Sequence, residues 1–400
     1  PGSRSRAYRL DGLAERCGLH DAQLLGWLRA GMPGSSLMLP RAQLAPPHVG
    51  ALKHASVFAA GDAKDSAAGY VTSGYSFPDV WPCIIDPMNV VMQHGKGRVT
   101  IDKSMLVSGD EDLPSYNLLI DLTEDEAGRR YTLVRISHFG RACAILDVAT
   151  LFTPVETSIS KFDKKAFFRQ HGKQRLDVWQ SGRLTQHGFG TDWRVNFGEC
   201  DAPDHTGRSS NASCLFMKHE LKRLEHEYPP VQPELLWWLE RRRRARPVEL
   251  CDAADFLWAV LFYLMFFVDD GGLACVDDEL RTRGGEPVIE LFTEKDGSVT
   301  RRPQRRGRLY FLAIIGVAEY LGHTAPEDKR EYPGRAMVLI GFEINLDVAL
   351  IALSGEKSGR YRAQLTEMLA SSRRLAGGQL RASRQEFNQL VHRLLHAAEV

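Results

Sequence analysis

Three aspartates that follow apolar, strand-like stretches are the side chains best suited to chemistry. Asp269 and Asp270 follow the run FYLMFFV, and Asp163 follows the run SISKF. Adjacent carboxylates repel one another, and a divalent cation is the first candidate to offset that repulsion. Three carboxylates on adjacent strands can bind two such ions, as phosphoryl transfer requires. Oxygen-only ligands favour Mg²⁺ or Mn²⁺, whereas a single isolated Asp is more commonly a turn residue or a helix cap.

The elements that must position these aspartates are strands and hairpins. The run FYLMFFV, followed by Asp-Asp-Gly-Gly and LACV, predicts a hairpin with the aspartates at its tip. Two further hairpins are predicted, at 89–102 (NVVMQHGKGRVTID) and within 336–354 (AMVLIGFEINL followed by ALIALS). Apolar residues at helical spacing predict helices over 212–228 and in the tail after about 355, where SRQE at 383–386 is a capping box.

The first 80 residues are expected to form an N-terminal extension that is partly irregular. The stretch DAQLLGWLRAGM suits a short helix, whereas RAQLAPPHVG and AAGDAKDSAAGY predict loop.

The composition is that of a globular chain with an ample core. Hydrophobic residues make up 44% and charged residues 25%, and the formal net charge is +1. The seven cysteines form no Cys-x-x-Cys pair, which argues against a zinc knuckle or a disulfide framework and for a reducing, intracellular compartment. The longest apolar run is too short to span a bilayer, so no membrane partner is expected. The first residue is Pro and the last residues are HAAEV, which suggests a piece of a longer polypeptide.

Arginine clusters in two runs, RRRRAR at 241–246 and RRPQRRGR at 301–308. Each run is either a phosphate-binding patch or a solvated surface, and the sequence alone favours neither interpretation.

From about Pro82 to Val400 the chain resembles reverse transcriptases, most closely those of DIRS-type tyrosine-recombinase retroelements. NVVMQHGKGRVTIDKS is similar to the fingers hairpin, LPSYN to the segment ahead of the palm, and SKFDKKAFFRQ to the first palm motif. NFGECDAPDHTGR is similar to the motif that supports nucleotide and template, FFVDDG to the paired-aspartate motif, and LIGFEI to the primer grip. EKSGRYRAQLTEML and EFNQLVHRLLHAAEV are similar to the thumb and the segment after it. Each motif alone is weak evidence, and the resemblance rests on the motifs occurring in the order found in reverse transcriptases.

The resemblance implies an α+β fold of the right-hand polymerase type, with fingers, an antiparallel palm sheet backed by helices, and a helical thumb. Fingers and palm would occupy 81–354, with arginine-rich insertions at about 229–248 and 281–335. Residues 355–400 would form the helical thumb and the start of a connection. A ribonuclease H or recombinase region could follow beyond this chain.

The same resemblance implies roles for individual residues. Asp163, Asp269 and Asp270 would be catalytic and would bind two Mg²⁺ or Mn²⁺ ions. In the resembling family, usually only the first aspartate of the adjacent pair ligates a metal ion directly. Nucleotide binding is implied for Arg98, Phe168 and Gly198, and template or primer support for Pro203, Arg208 and Gly341.

The implied partners are an RNA or DNA template–primer duplex and deoxynucleoside triphosphates. Thr206 departs from the family, which usually has Phe at this position. Two alternatives stay open: a decayed retroelement remnant that only binds nucleic acid, and an RNA-directed RNA polymerase, against which the aromatic Phe168 speaks.

Overall fold

The computed structural model describes most of the chain. The described residues are 7–19, 21–34, 40–93, 95–105, 115–117, 136–148, 150, 155–196, 198–199, 202–244, 261–294, 296–371, 373–374 and 380–381. The capping box at 383–386, the segment EFNQLVHRLLHAAEV and the last two residues of the run 241–246 lie outside them.

The fold is α+β with several sheets. The helices are α1 Ala7–Cys17, α2 Ala22–Ala30, α3 Val49–Lys53, α4 Ala55–Ala67, α5 Ile136–Val148, α6 Ala202–Glu227, α7 Pro233–Arg244, α8 Arg306–Tyr320 and α9 Gly355–Ser371. The strands are β1 Gln43–Leu44, β2 Ile84–Ile85, β3 Met88–Gln93, β4 Lys96–Ile101, β5 Glu156–Asp163, β6 Gly182–Thr185, β7 Gly188–Thr191, β8 Phe262–Phe267, β9 Asp270–Asp277, β10 Ile289–Thr293, β11 Val299–Pro303, β12 Arg330–Gly334, β13 Ala336–Leu339, β14 Phe342–Asn345, β15 Leu350–Leu353, β16 Arg373–Arg374 and β17 Leu380–Arg381. None of the helices in the described part of the chain combines the length and the apolar character that a bilayer crossing needs.

The chain divides into two compact units. The first unit comprises Pro1–Thr132, Lys164–Met217 and Gly316–Ala325, and the second comprises Leu133–Asp163, Lys218–Ile315 and Pro326–Val400.

The second unit is built on an antiparallel sheet with strand order β12-β5-β9-β8. Strand β8 is almost wholly buried because both of its faces are covered. Tyr263 and Met265 join a core with Phe139 of α5, while the ring of Phe262 on the other face lies 5.6 Å from that of Tyr310 in α8. The apolar run that precedes the aspartates is therefore a central core strand.

A second sheet, β13-β14-β15, contributes to the same core. Leu339, Phe342 and Ile344 of this sheet are buried there together with Leu235 and Trp238 of α7. The predicted hairpin at 336–354 is thus a three-stranded meander, with its first turn inside AMVLIGFEINL.

The first unit holds the predicted hairpin at 89–102 as β3 and β4, paired from Met88↔Ile101 to Gln93↔Lys96. Helices α3 and α4 pack on it through Ala51 and Phe58. A further sheet has the strand order β1-β2-β6-β7, and α2 packs against Phe216 of α6 and Leu321.

One expectation for local structure is wrong. The stretch AAGDAKDSAAGY lies largely in α4, because alanine is the strongest helix former and Phe58 and Asp62 give the helix a buried face. The arginine-rich segment 281–335 holds β10, β11, α8 and β12, and β12 is an edge strand of the aspartate sheet.

Candidate active site

The three aspartates meet at one end of the β12-β5-β9-β8 sheet. Asp163 is the last residue of β5, Asp270 is the first of β9, and the two are direct cross-strand partners. Partners of this kind lie on the same face of a sheet, with Cβ atoms about 4.5–5.5 Å apart. Asp269 lies in the two-residue turn that joins β8 to β9. The sequence-predicted tip is therefore shifted by one residue, and Asp270 is the member of the pair that faces Asp163.

The turn that carries Asp269 is conformationally strained. Val268 has a φ of 59°, which is unfavourable for a β-branched residue. Residues in such sparsely populated backbone regions persist only where the surrounding structure holds them, and they cluster at functional sites.

Burial and mutual repulsion dominate the electrostatics of the cluster. Burial first, and then the carboxylates of Asp269 and Asp163, raise the pKa of the Asp270 carboxyl to about 7. The ammonium groups of Lys161 and Lys329 act in the opposite direction. The carboxylates of Asp269 and Asp163 therefore both act on Asp270 and favour a proton on it near neutral pH.

Lys329 supplies a positive charge directly to the cluster. Its Nζ donates a hydrogen bond to Oδ2 of Asp163. The other oxygen, Oδ1 of Asp163, is buried and accepts no hydrogen bond from the described residues. A buried carboxylate oxygen without a donor is costly unless a ligand satisfies it.

The ligand atoms of the cluster are of the type that a hard divalent cation prefers, but their arrangement does not form a closed metal site. All its ligating atoms are carboxylate oxygens, which suits Mg²⁺ or Mn²⁺, and Asp163 Oδ1 needs a partner. However, no three His, Cys, Asp or Glu side chains of the described residues are arranged so that they could hold a metal ion. The ammonium of Lys329 supplies the positive charge next to Asp163.

The turn between β13 and β14 is tied to helix α9 by a lysine. Ile340 and Gly341 form this turn with φ values of 53° and 79°, the pattern of a two-residue hairpin turn of type I′. Lys357 Nζ donates to Ile340 O at 2.5 Å, and a Cβ on residue 341 would lie 2.1 Å from Lys357 Cε. Burial and Arg360 lower the pKa of Lys357, while Asp270 raises it. Gly341 is thus required for this contact, and Lys357 lies within electrostatic range of the aspartates.

Arg98 and Gly198 lie in the first unit, along strand β4 and beside its end. Arg98 is exposed on β4 opposite Val91. Gly198 has a φ of 117°, and a Cβ there would lie 1.9 Å from Ile101 O. Because of this close approach, residue 198 must be glycine to pack against the hairpin strand that carries Arg98. Asn117 Nδ2 also donates a hydrogen bond to Gly198 O at 2.8 Å.

Phe168 is half-buried in the first unit. Strand β5 ends at Asp163, and Phe168 begins a short 3₁₀ helix, Phe168–Gln170. Its ring packs on a cluster that includes Met32 and Val195. Phe167 is fully buried, with its ring centroid 4.8 Å from that of His171. Phe167 and Phe168 do not alternate as strand residues would, because the chain has already left the sheet.

Pro203 and Arg208 lie in the N-terminal part of α6. Pro203 is exposed in the first turn, where the missing N–H costs nothing. Arg208 forms a bidentate pair with Asp21, Nε to Oδ2 at 3.1 Å and Nη2 to Oδ1 at 2.8 Å, and its guanidinium lies 4.9 Å from the centroid of the Trp27 ring. Arg208 therefore anchors the start of α2. Thr206 is fully buried, and its Oγ1 donates to Ala202 O at 2.6 Å.

Lys161, Lys329 and Lys357 are residues of the site that sequence reasoning missed. Lys161 forms an ion pair with Glu331 of β12 at 2.8 Å, and Lys329 directly precedes that strand. The pairing of β12 with β5 joins segments more than 160 residues apart, and no local pattern in the sequence signals it. Only the resemblance of LIGFEI to a primer grip pointed toward the region that Lys357 contacts.

Comparisons with known proteins give a distant structural likeness. No protein-family model matches the chain, and no curated protein matches it. The foamy viral protease-reverse transcriptase in complex with an RNA/DNA hybrid is similar at a TM-score of 0.43 and 12% identity, over 91% of this chain and 39% of that chain. A second structure, the foamy viral protease-reverse transcriptase dRH in complex with double-stranded DNA, has a TM-score of 0.42 and 12% identity, over 96% of this chain and 59% of that chain. The chain spans about two fifths of the length of the first protein.

Proposed function

We propose that this chain is a template-directed DNA polymerase of the reverse transcriptase type. It would add deoxynucleotides to a primer 3′ hydroxyl and release pyrophosphate. The observation that carries the proposal is the cluster of Asp163, Asp269 and Asp270, in which a strand end and the adjoining hairpin bring three interacting carboxylates together. The order of the motifs around these residues in the sequence supports the same reaction.

Asp163, Asp269 and Asp270 would hold two Mg²⁺ or Mn²⁺ ions. Bound there, such ions activate the attacking hydroxyl and neutralise charge on the triphosphate. Asp270 must lose its proton to act as a ligand, so binding is coupled to pH. Lys329 must release Oδ2 of Asp163, and its ammonium then remains close to the site as a positive charge.

Other residues would handle the nucleotide and the nucleic acid. Arg98 would pair with triphosphate oxygens through its planar guanidinium, and Phe168 would lie under the sugar. Gly198 would let the backbone approach the nucleotide closely, and Gly341 would place the turn between β13 and β14 at the primer. Lys and Arg side chains would hold the backbone of an RNA or DNA template–primer duplex.

Pro203 and Arg208 would support the template indirectly. Because Arg208 is bound to Asp21 and stacks on Trp27, its contribution would be to fix the position of helix α6 rather than to contact the nucleic acid.

A second candidate function is a remnant that binds nucleic acid without catalysis. It is favoured by the contact between Lys329 and Asp163 and by the lack of a closed metal geometry among the described residues.

A primer-extension assay separates the two functions. The full chain is incubated with labelled primer on RNA and DNA templates, deoxynucleoside triphosphates and Mg²⁺ or Mn²⁺. Extension that depends on the template supports the polymerase. Duplex binding without extension under all these conditions supports the remnant.

A further inference from the structure

The first unit contains a large cavity that the proposed reaction does not use. Its volume is about 960 Å³, at the upper end of the roughly 300–1,000 Å³ of small-molecule sites. The end of α2, the segment 170–175 and the segment 193–194 form most of its wall. None of the nucleotide-binding or template-supporting residues proposed above lines it.

Backbone hydrogen bonds join the three wall segments to one another. Met32 N donates to Gly172 O at 2.7 Å, and Gln174 N donates to Met32 O at 2.8 Å. Lys173 N donates to Trp193 O at 3.0 Å. The cavity is therefore preformed, so a ligand would not have to order its walls.

The charge of the wall is positive. Arg29, Arg175 and Arg194 line the cavity, and none of the described lining residues is acidic. Lys173 also lines it, with its ammonium paired to Glu199, and the Arg194 guanidinium lies 5.9 Å from the centroid of the Tyr70 ring. Three guanidinium groups in one wall favour an anionic ligand, and guanidinium is well matched to phosphate.

The wall also offers flat aromatic surface. Trp193 and Trp27 line the cavity and are both half-buried. Trp27 is already engaged, since Arg208 lies over its ring and His205 lies 4.6 Å away at its edge. Trp193 makes no ring contact with an aromatic or a cation of the described residues, so its face is the better platform for a planar ligand. Burial lowers the pKa of His171, another lining residue, to about 4, so its ring is neutral.

We propose that this cavity binds an unpaired nucleotide of a single-stranded nucleic acid, with the base on Trp193 and the phosphates on Arg175, Arg194 and Arg29. Cations that follow a backbone and an aromatic ring that stacks a base are the combination by which proteins hold single strands without reading sequence. The assignment rests on the proposed function and deepens it, since it gives a template strand a second point of attachment.

The test measures binding of a short fluorescein-labelled oligothymidylate to the full chain by anisotropy, over a range of salt concentrations. Trp193→Ala should weaken binding about tenfold, because one stacking platform is removed. Trp193→Phe should keep most of the affinity, which excludes an effect caused by misfolding. Arg175→Gln, at an exposed side chain, should flatten the salt dependence by about one unit of slope.

Arg301→Gln is the matched control, because Arg301 is also exposed, lies on β11 and is not a lining residue of the cavity. Equal affinity for wild type and Trp193→Ala, or an equal change of slope for Arg175→Gln and Arg301→Gln, would overturn the proposal. Thymidine monophosphate is the competing probe: displacement of the strand at the same concentration of nucleotide units would identify a free nucleotide as the ligand and overturn the assignment to a strand. Anisotropy needs no catalysis, so a chain that fails to extend primers can still pass this test, and an active polymerase can fail it.

Discussion

The carboxyl group of Asp270 links structure to pH at the scale of the single residue. It is paired across the sheet with Asp163 and adjoins Asp269, and its raised pKa comes from burial and from these two neighbours. A divalent cation would replace the proton that Asp270 holds near neutral pH, because both relieve the same repulsion.

The raised pKa predicts that Asp270 makes the metal-free chain less stable as pH rises. Below about pH 4 the carboxyl is protonated in both the folded and the unfolded state. Between pH 4 and about 7 the unfolded chain releases the proton while the folded chain retains it, so the free energy of unfolding falls. The decrease amounts to roughly 4 kcal/mol for a shift of about three pKa units.

Urea denaturation of wild type and of Asp270→Asn across this range, with chelator present, measures the effect. The variant should gain stability relative to wild type as pH rises, and the difference should level off above about pH 7. A constant difference between the two proteins would show that Asp270 titrates normally.

Phe167 and Phe168 give a second prediction at the residue scale. Phe168→Val should raise the ratio of ribonucleotide to deoxynucleotide incorporation, because a smaller side chain under the sugar leaves room for a 2′ hydroxyl. Phe167→Val should leave that ratio unchanged and cost roughly 2–3 kcal/mol of stability, since Phe167 is fully buried. If Phe167→Val shifts the ratio more than Phe168→Val, the assignment of the sugar contact to Phe168 is wrong.

At the scale of elements, the turn between β13 and β14 depends on the N-terminal part of α9. Ile340 is a β-branched residue with a φ of 53°, which is strained. The hydrogen bond from Lys357 to Ile340 O and the backbone bond from Ser354 N to Gly341 O, 3.0 Å long, both hold the turn. The turn and the helix therefore behave as one element.

Removing the Lys357 ammonium should loosen this element. Lys357→Met keeps much of the side-chain volume but leaves the turn carbonyl without its charged donor, at an expected cost of about 1–2 kcal/mol in urea denaturation. Lys53→Met, an exposed lysine on α3, is the control and should change stability by less than about 0.5 kcal/mol. Equal stabilities for the two variants would show that the hydrogen bond does not hold the turn.

The local sequence pattern predicts the elements nearest the aspartates, but it does not predict the elements that complete the site. Strand-like apolar runs in the sequence correspond to β5, β8 and β9 and to the hairpin of β3 and β4. The turns between β3 and β4 and between β8 and β9 are short. Strand β12 pairs with β5 only in the folded chain, so the position of Lys329 beside Asp163 could not be inferred from either segment. Helix α4 does not follow from the sequence because Gly61 and two aspartates resemble loop residues, and only packing shows that Phe58 and Asp62 are buried.

At the scale of the whole molecule, the two arginine runs differ in how far their guanidinium groups are held in ion pairs within the protein. Within 301–308, Arg302 and Arg308 both pair with Glu290, at 2.8 and 3.0 Å. Arg305 pairs with Asp277 at 3.0 Å, and Arg306 is buried against Asp278. This run is mainly a structural ion-pair network, for which the sequence had left two interpretations open.

In the run that begins at 241, Arg241 and Arg244 are more available to a polyanion. The Arg241 guanidinium lies 5.4 Å from the centroid of the half-exposed Trp237 ring, and Arg244 pairs with Glu240 at 3.0 Å on an exposed helix surface. Exposed ion pairs of this kind contribute little and exchange readily for phosphate.

Changing Arg241 and Arg244 to Gln should reduce the salt dependence of duplex binding by about one unit of slope for each phosphate that these arginines neutralise. The matched variant, Arg302→Gln with Arg308→Gln, should leave the slope unchanged. An unchanged slope for the 241 and 244 variant would assign this run to solvated surface as well.

The central claim, that the aspartate cluster catalyses nucleotide addition, is tested most directly by extension of a labelled primer in Mg²⁺. Wild type is compared with Asp163→Asn, Asp269→Asn and a control, Asp296→Asn, in an exposed turn. We expect extension by wild type and the control, none by the two cluster variants, and equal duplex binding by all four. Near-full extension by Asp163→Asn or Asp269→Asn would contradict the account.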